Sequence, residues 1–152
     1  MDYEITVEFP SPITLAAVRV IVPACGIAAA WKPALDKVWA FLRSNPVPNT
    51  GLNVFCYHHP ERSGEAMKID FGVQVSNHFE DEGDIHCVET PSGEVAQTVH
   101  IGPYSRLGEA HAAIHGWCKA NQRPIASSSW EIYGHWNNDP EKLVTTIRYL
   151  LA

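Results

Sequence analysis

Asn53-Val54-Phe55-Cys56-Tyr57 is matched, 78 positions later, by Glu131-Ile132-Tyr133-Gly134-His135, and the likeness of these two stretches decides the fold. Each alternates apolar or aromatic residues with others, the period of a strand whose successive side chains point to opposite faces. The same offset extends outward. It lays Ile21 on Val99, Ala34 on Ala112, Trp39 on Trp117, Ile69 on Ile147 and Phe71 on Tyr149, with no gap between the helix and the last strand of each half. Alternation predicts strands at Tyr3–Phe9, Leu15–Val22, Asn53–His58, Met67–Val75, Ile85–Glu89, Val95–Ile101, Ser129–Trp136 and Val144–Leu150. Helical spacing predicts one helix from Ile27 to Leu42 and another from Ser105 to Ala120. The order is strand, strand, helix, strand, strand, given twice. The fold class is therefore α+β, with duplicated ββαββ units at about residues 3–75 and 85–151 packed about a pseudo-two-fold axis. Neither unit can bury its apolar face alone, so residues 1–152 are expected to form one domain.

The 152 residues suit a single core, and 45% hydrophobic against 18% charged residues describe a globular chain. A net charge of −6 with no basic cluster argues against direct nucleic-acid binding, which needs Lys and Arg to displace phosphate counterions. The apolar run Val18–Ala30 is broken by Arg19, Pro23 and Gly26, so no membrane span is expected. Met1-Asp2-Tyr3-Glu4 is acidic and unlike a secretory signal, which makes the cytoplasm the expected location. Cys25, Cys56, Cys87 and Cys118 include no Cys-x-x-Cys pair and are expected to be reduced thiols.

A crevice is expected where the two units meet, because ligand sites favour such junctions. Glu131 and Tyr133 are two apart on one strand and share a face; Asn53 and Phe55 should approach from the other unit, with Tyr57 next along. An acid in so aromatic a strand is either solvated or buried with a partner, since an unpaired buried carboxylate is costly. His111 and His115 are four apart on a helix but lack the Glu of a zinc-protease helix. They read as a solvated helix face, and no metal or cofactor is expected. His58 and His59 read as a surface turn before Pro60, and His100 as a structural hydrogen-bonding group.

Val99-His100-Ile101-Gly102-Pro103-Tyr104, then Leu107, Trp117, Trp130-Glu131-Ile132-Tyr133 and Asp139-Pro140 resemble, in order and spacing, the second repeat of the GyrI-like family. With the first repeat, the resemblance covers nearly the whole chain. In that family the domain serves as the effector-binding part of AraC- and MerR-type bacterial transcription regulators. The resemblance implies a curved, mainly antiparallel sheet with two helices and a central pocket for small hydrophobic ligands, often cationic. The family's pocket acid falls on Glu131 and its aromatic neighbour on Tyr133. Phe55, Tyr57, Asn53, Trp39, Trp117 and Tyr104 are the further candidate ligand contacts. The first repeat departs from the pattern, with Ala24-Cys25-Gly26 where the second has Gly102-Pro103-Tyr104. The first strand also begins by about Tyr3, with no DNA-binding module ahead of it.

Three functions follow from the resemblance. The first is binding or sequestration of hydrophobic, cationic small molecules, which aromatic faces and a buried acid would hold. The second is hydrolysis of strained, cyclopropane-type electrophiles, with Glu131 as general base and Tyr133 donating to the oxygen that gains charge. The third is inhibition of a protein partner such as gyrase; self-association as a homodimer is left open.

Overall fold

The computed structural model describes residues 2–23, 26–62 and 64–152; Ala24 and Cys25 of the first-repeat turn lie outside them. Eight strands form one antiparallel sheet: β1 Thr6–Glu8, β2 Thr14–Val22, β3 Asn49–His58, β4 Met67–Val75, β5 His86–Glu89, β6 Val95–Ile101, β7 Ile125–Tyr133 and β8 Val144–Leu151. The helices are α1, Ile27–Ser44, and α2, Leu107–Ala120. The sheet order, β1-β6-β8-β7-β3-β4-β2-β5, reads the same from either edge once the halves are exchanged. β1 pairs with β6 of the second unit, and β5 pairs with β2 of the first. The two units thus trade their opening strands.

The registers correct the single offset of 78. Phe55 faces Phe71 in the first half and Glu131 faces Ile147 in the second, so β3 and β4 map onto β7 and β8 with an offset of 76. The buried stripe of α1, Ala34, Val38 and Leu42, maps with the same offset onto Ala110, Ile114 and Cys118 of α2. Before the helices the offset is 80, which lays the buried Leu15 and Ala16 on Val95 and Ala96. The difference is one helical turn: α1 has 18 residues and α2 has 14. An offset of 78 lies midway. It keeps each strand residue on its correct face, because the strand period is two, yet it misplaces the helices. Trp39 and Trp117 are therefore not equivalent positions, and neither are Phe55 and Tyr133.

Strand boundaries also differ from expectation, most at β1, at the start of β3 and at both ends of β7, which starts at Ile125 rather than Ser129. β1 is paired only over Thr6–Glu8, because Tyr3 turns away to place its hydroxyl 2.8 Å from His100 Nδ1. β3 begins at Asn49, across an irregularity containing Gly51 at φ +79. β7 ends at Tyr133 rather than Trp136; Gly134 still donates its N–H to the Val144 carbonyl at 2.8 Å, an approach too close for any side chain there. α1 stops at Ser44 because Asn45 precedes Pro46 and is held extended.

The helices cover one face of the sheet. α1 packs on Phe55, Ile69, Phe71 and Val73, and α2 on Ala96, Ile147 and Tyr149. Leu15, Ala17, Val54, Cys56, Val95 and Trp130 form a separate cluster from alternate strand positions, which point away from the helices. On that side Asp70 is buried beneath Arg19 Nε and Nη2 (2.8 and 2.9 Å) and His58 Nε2 (2.9 Å). His58 ends β3, as the expected strand Asn53–His58 has it, but its imidazole is not a free surface group: it is bonded to this buried carboxylate. Among the described residues no helix is long and apolar enough to cross a membrane.

Candidate functional site

The pseudo-axis passes between Phe55 and Glu131, which face each other across β3 and β7. With an offset of 76, Tyr57 and Tyr133 are symmetry equivalents, and their hydroxyls converge on one atom. Tyr57 donates to Glu131 Oε1 at 2.5 Å, and Tyr133 donates to the same oxygen at 2.7 Å. The other oxygen, Oε2, accepts from His111 Nε2 at 2.7 Å, and His111 Nδ1 lies 2.7 Å from the Tyr149 hydroxyl. Glu131 is 5% exposed. Burial alone would raise its pKa, but the bonds from His111, Tyr57 and Tyr133 and the His111 charge outweigh burial and hold it below the ordinary range. The phenols respond in the opposite sense. Burial, then the Glu131 charge, pushes both Tyr57 and Tyr133 well upward, so they remain donors.

In front of this phenol pair lies a cavity of about 510 Å³, lined by Ile27, Trp31, Leu35, Asn53, Phe55, Tyr57, Tyr104 and Tyr133, and by Gly51 and Gly134–Trp136. Its aromatic walls interlock: Phe55 meets Tyr133 with centroids 4.9 Å apart, Tyr104 meets Tyr133 at 5.4 Å, and Trp31 meets Phe55 at 6.3 Å. Trp31, Tyr104 and Trp136 keep substantial exposure and form the mouth. The lining contains no Lys, Arg, Asp or Glu.

Five of the eight candidate residues line this cavity: Asn53, Phe55, Tyr57, Tyr104 and Tyr133. Glu131 stands one layer behind, screened from the cavity by the two phenols. Trp39 is turned aside, its Nε1 donating to Asn53 Oδ1 at 3.0 Å, and it orients that amide rather than forming a wall. Trp117 packs against the α2 cluster beyond Tyr149 and does not reach the cavity. Both tryptophans were read as wall residues from helical spacing, which fixes a face but not where along the sheet the cavity opens.

Sequence reasoning missed Trp31, Leu35 and Trp136 as lining, and missed His111 altogether. The expectation that His111 and His115 form a solvated face is corrected for His111, which is half-buried and bonded to Glu131; His115 is exposed as expected, with its ring edge-on to Tyr149 at 4.9 Å. The 76 offset carries the signal, for it lays His111 on Leu35, a cavity position. His59 is also no free turn residue, since its Nε2 lies 2.7 Å from Ser129 Oγ.

A cavity at the junction of two quasi-equivalent units, walled by aromatics with few polar groups, describes a small-ligand receptor domain. Residues 1–151 match the model of the GyrI-like small molecule binding domain, and the chain belongs to that family. Among solved structures it is similar to the C-terminal domain of EcmrR (TM-score 0.80, 23% identity, 100% of this chain and 99% of that one). It spans 57% of the longer EcmrR chain in a DNA complex. SAV2435, solved bound to tetraphenylphosphonium, gives a TM-score of 0.74 at 18% identity over 100% of this chain and 94% of that one. A hydrolase from Listeria innocua gives 0.59 at 15% identity, over 98% and 92%. At these identities the likeness establishes the fold. No curated protein matches the chain significantly.

Proposed function

We propose that this domain binds hydrophobic organic cations in the aromatic cavity, with the charge of Glu131 acting through the phenols of Tyr57 and Tyr133. The single observation that carries the reading is the pairing of an uncharged aromatic box with one ionised carboxylate directly behind it. Aromatic faces attract a cation by about 0.5–2 kcal/mol each, more when water is excluded. A carboxylate in a low-dielectric wall adds a longer-range attraction that neutral ligands cannot use. A bulky onium ion, whose charge is shielded by its own aryl groups, suits such a site because it needs no direct contact with the acid. SAV2435, which shares the fold, was solved with a ligand of that class.

Hydrolysis is less well supported. A general base needs a water on its carboxylate, and the Glu131 oxygens are enclosed by Tyr57, Tyr133 and His111. The −6 charge supports a role without direct nucleic-acid contact, and the free thiols of Cys56, Cys87 and Cys118 support a cytoplasmic location. The test is titration of tetraphenylphosphonium followed by tryptophan fluorescence. Saturable quenching that weakens by about tenfold or more in Trp31→Ala supports the cavity as the site, given the loss of a large aromatic wall. Absence of saturable binding, or equal binding by the variant, overturns the proposal.

A further inference from the structure

The pseudo-axis gives each cavity position a counterpart, and the counterparts carry different chemistry. Leu35 is replaced by His111, Asn53 by Ser129 and Phe55 by Glu131; outside the lining, Trp39 is replaced by His115 and Val73 by Tyr149. One half-site is aromatic. The other holds a hydrogen-bonded chain from Glu131 through His111 to Tyr149, with the His59–Ser129 pair beside it.

Resting on the cation-binding reading above, we propose that capture of an organic cation is coupled to release of one proton from His111 to solvent. The groups facing His111 are Glu131 and Tyr133 from β7, Tyr57 from β3, Tyr149 from β8, His59 from the segment after β3, and His115 from its own helix. Of these only Glu131 is anionic, and His111 Nε2 lies 2.7 Å from it; the proposed resting state is the one in which a His111 imidazolium balances that charge. A cation arriving at the phenols competes for that same carboxylate. Two cations sharing one buried anion repel, and only the imidazolium can shed its charge.

The proton balance is simple. His111, a quarter exposed, gives its Nδ1 proton to solvent and keeps its Nε2–H on Glu131, and the Tyr149 hydroxyl, 2.7 Å away, turns its own proton toward the vacated Nδ1. Every hydrogen bond survives, with Nδ1 now accepting from Tyr149. Burial first, and then repulsion from neighbouring imidazoles, hold His59 and His115 below the ordinary histidine pKa, so neither takes up the released proton.

Calorimetric titration of tetraphenylphosphonium near pH 6.5, in phosphate and in Tris, tests this, because the slope of observed heat against buffer ionisation heat counts released protons. The expected result is about half to one proton per cation and a Kd that tightens about five- to tenfold from about pH 5.5 to 8. Neutral triphenylphosphine oxide should release none. His111→Gln, whose amide still donates to Glu131, should lose the release and flatten the pH dependence, whereas His115→Gln should keep both. Should His111→Gln fail to fold, NMR of histidine-labelled wild-type protein at fixed pH must show one imidazole losing its proton as the cation is added. Saturable binding without buffer dependence, or undiminished release from a folded His111→Gln, overturns the coupling alone. No saturable heat from tetraphenylphosphonium overturns both the coupling and the binding reading.

Discussion

Replacing Glu131 by Gln removes one charge while keeping size and one acceptor oxygen. In the wild type, Oε1 accepts two phenolic hydroxyls and Oε2 one imidazole N–H, all between 2.5 and 2.7 Å, as charge-assisted bonds are. The amide oxygen of Gln can keep Tyr57 and Tyr133. Its N–H₂ must then face His111 Nε2, which requires the tautomer that carries its proton on Nδ1 and donates to Tyr149. All three partners stay satisfied, so the variant should fold, losing no more than about 1–2 kcal/mol as charged hydrogen bonds become neutral ones. Ligand affinity should respond according to ligand charge. A cation loses its only nearby counter-charge, about 1–3 kcal/mol, and its Kd should rise roughly 5- to 150-fold. A neutral aryl ligand should bind within a few-fold of wild type. The assay is parallel titration of tetraphenylphosphonium and triphenylphosphine oxide into both proteins. An equal loss for both ligands would mean that the phenol wall had collapsed. Unchanged cation affinity would refute the reasoning, because it would make Glu131 a structural acid only.

Other parts of the molecule give independent tests. Asp70→Asn should cost about 1–3 kcal/mol at neutral pH in urea unfolding, since Arg19 and His58 lose their buried anion. Burial raises the Asp70 pKa, but the bonds from His58 and Arg19 and their charges bring it below normal. Its contribution is therefore present above the ordinary aspartate range and is lost as pH falls through the depressed value; Asp70→Asn should flatten that acid limb. Gly72→Ala should destabilise by about 1–3 kcal/mol, because the new Cβ would sit 2.9 Å from the Ala16 carbonyl and 3.1 Å from Ala17 Cβ across β2. An unchanged midpoint would show that β2 and β4 can separate freely. Thr145→Val should raise stability by up to about 1 kcal/mol in thermal unfolding, since the fully buried Thr145 Oγ1 has no partner among the described residues.

The sheet was legible because strand alternation has a period of two. An even error in the repeat offset leaves every strand residue on its proper face, so Phe55, Tyr57, Glu131 and Tyr133 were brought together correctly even though the offset was not 76. A helix tolerates no such error, as two residues turn its face by about 200°. That is why Trp39 and Trp117 were placed in the cavity and His111 was left on the surface. Trp136 was missed for another reason: it was read as the last residue of a strand Ser129–Trp136, whereas β7 ends at Tyr133 and the chain beyond it turns to line the cavity. Cys56, with its thiol pushed up to about 12 by burial and the Asp70 charge, matched the expectation of an inert core residue.

The trading of opening strands bears on how the chain is made. β1 finds its only partner in β6, about ninety residues further along, and Tyr3 waits equally long for His100. During synthesis β1 waits for β6 to emerge, whereas β2, α1, β3 and β4 can assemble earlier. β5 then seals the edge of that early unit, and β1 crosses over to pair with β6 of the second. Such late, long-range closure slows folding. It also leaves a hydrophobic edge open in any truncated product, so translation arrested before β6 should yield fragments that quality-control proteases clear.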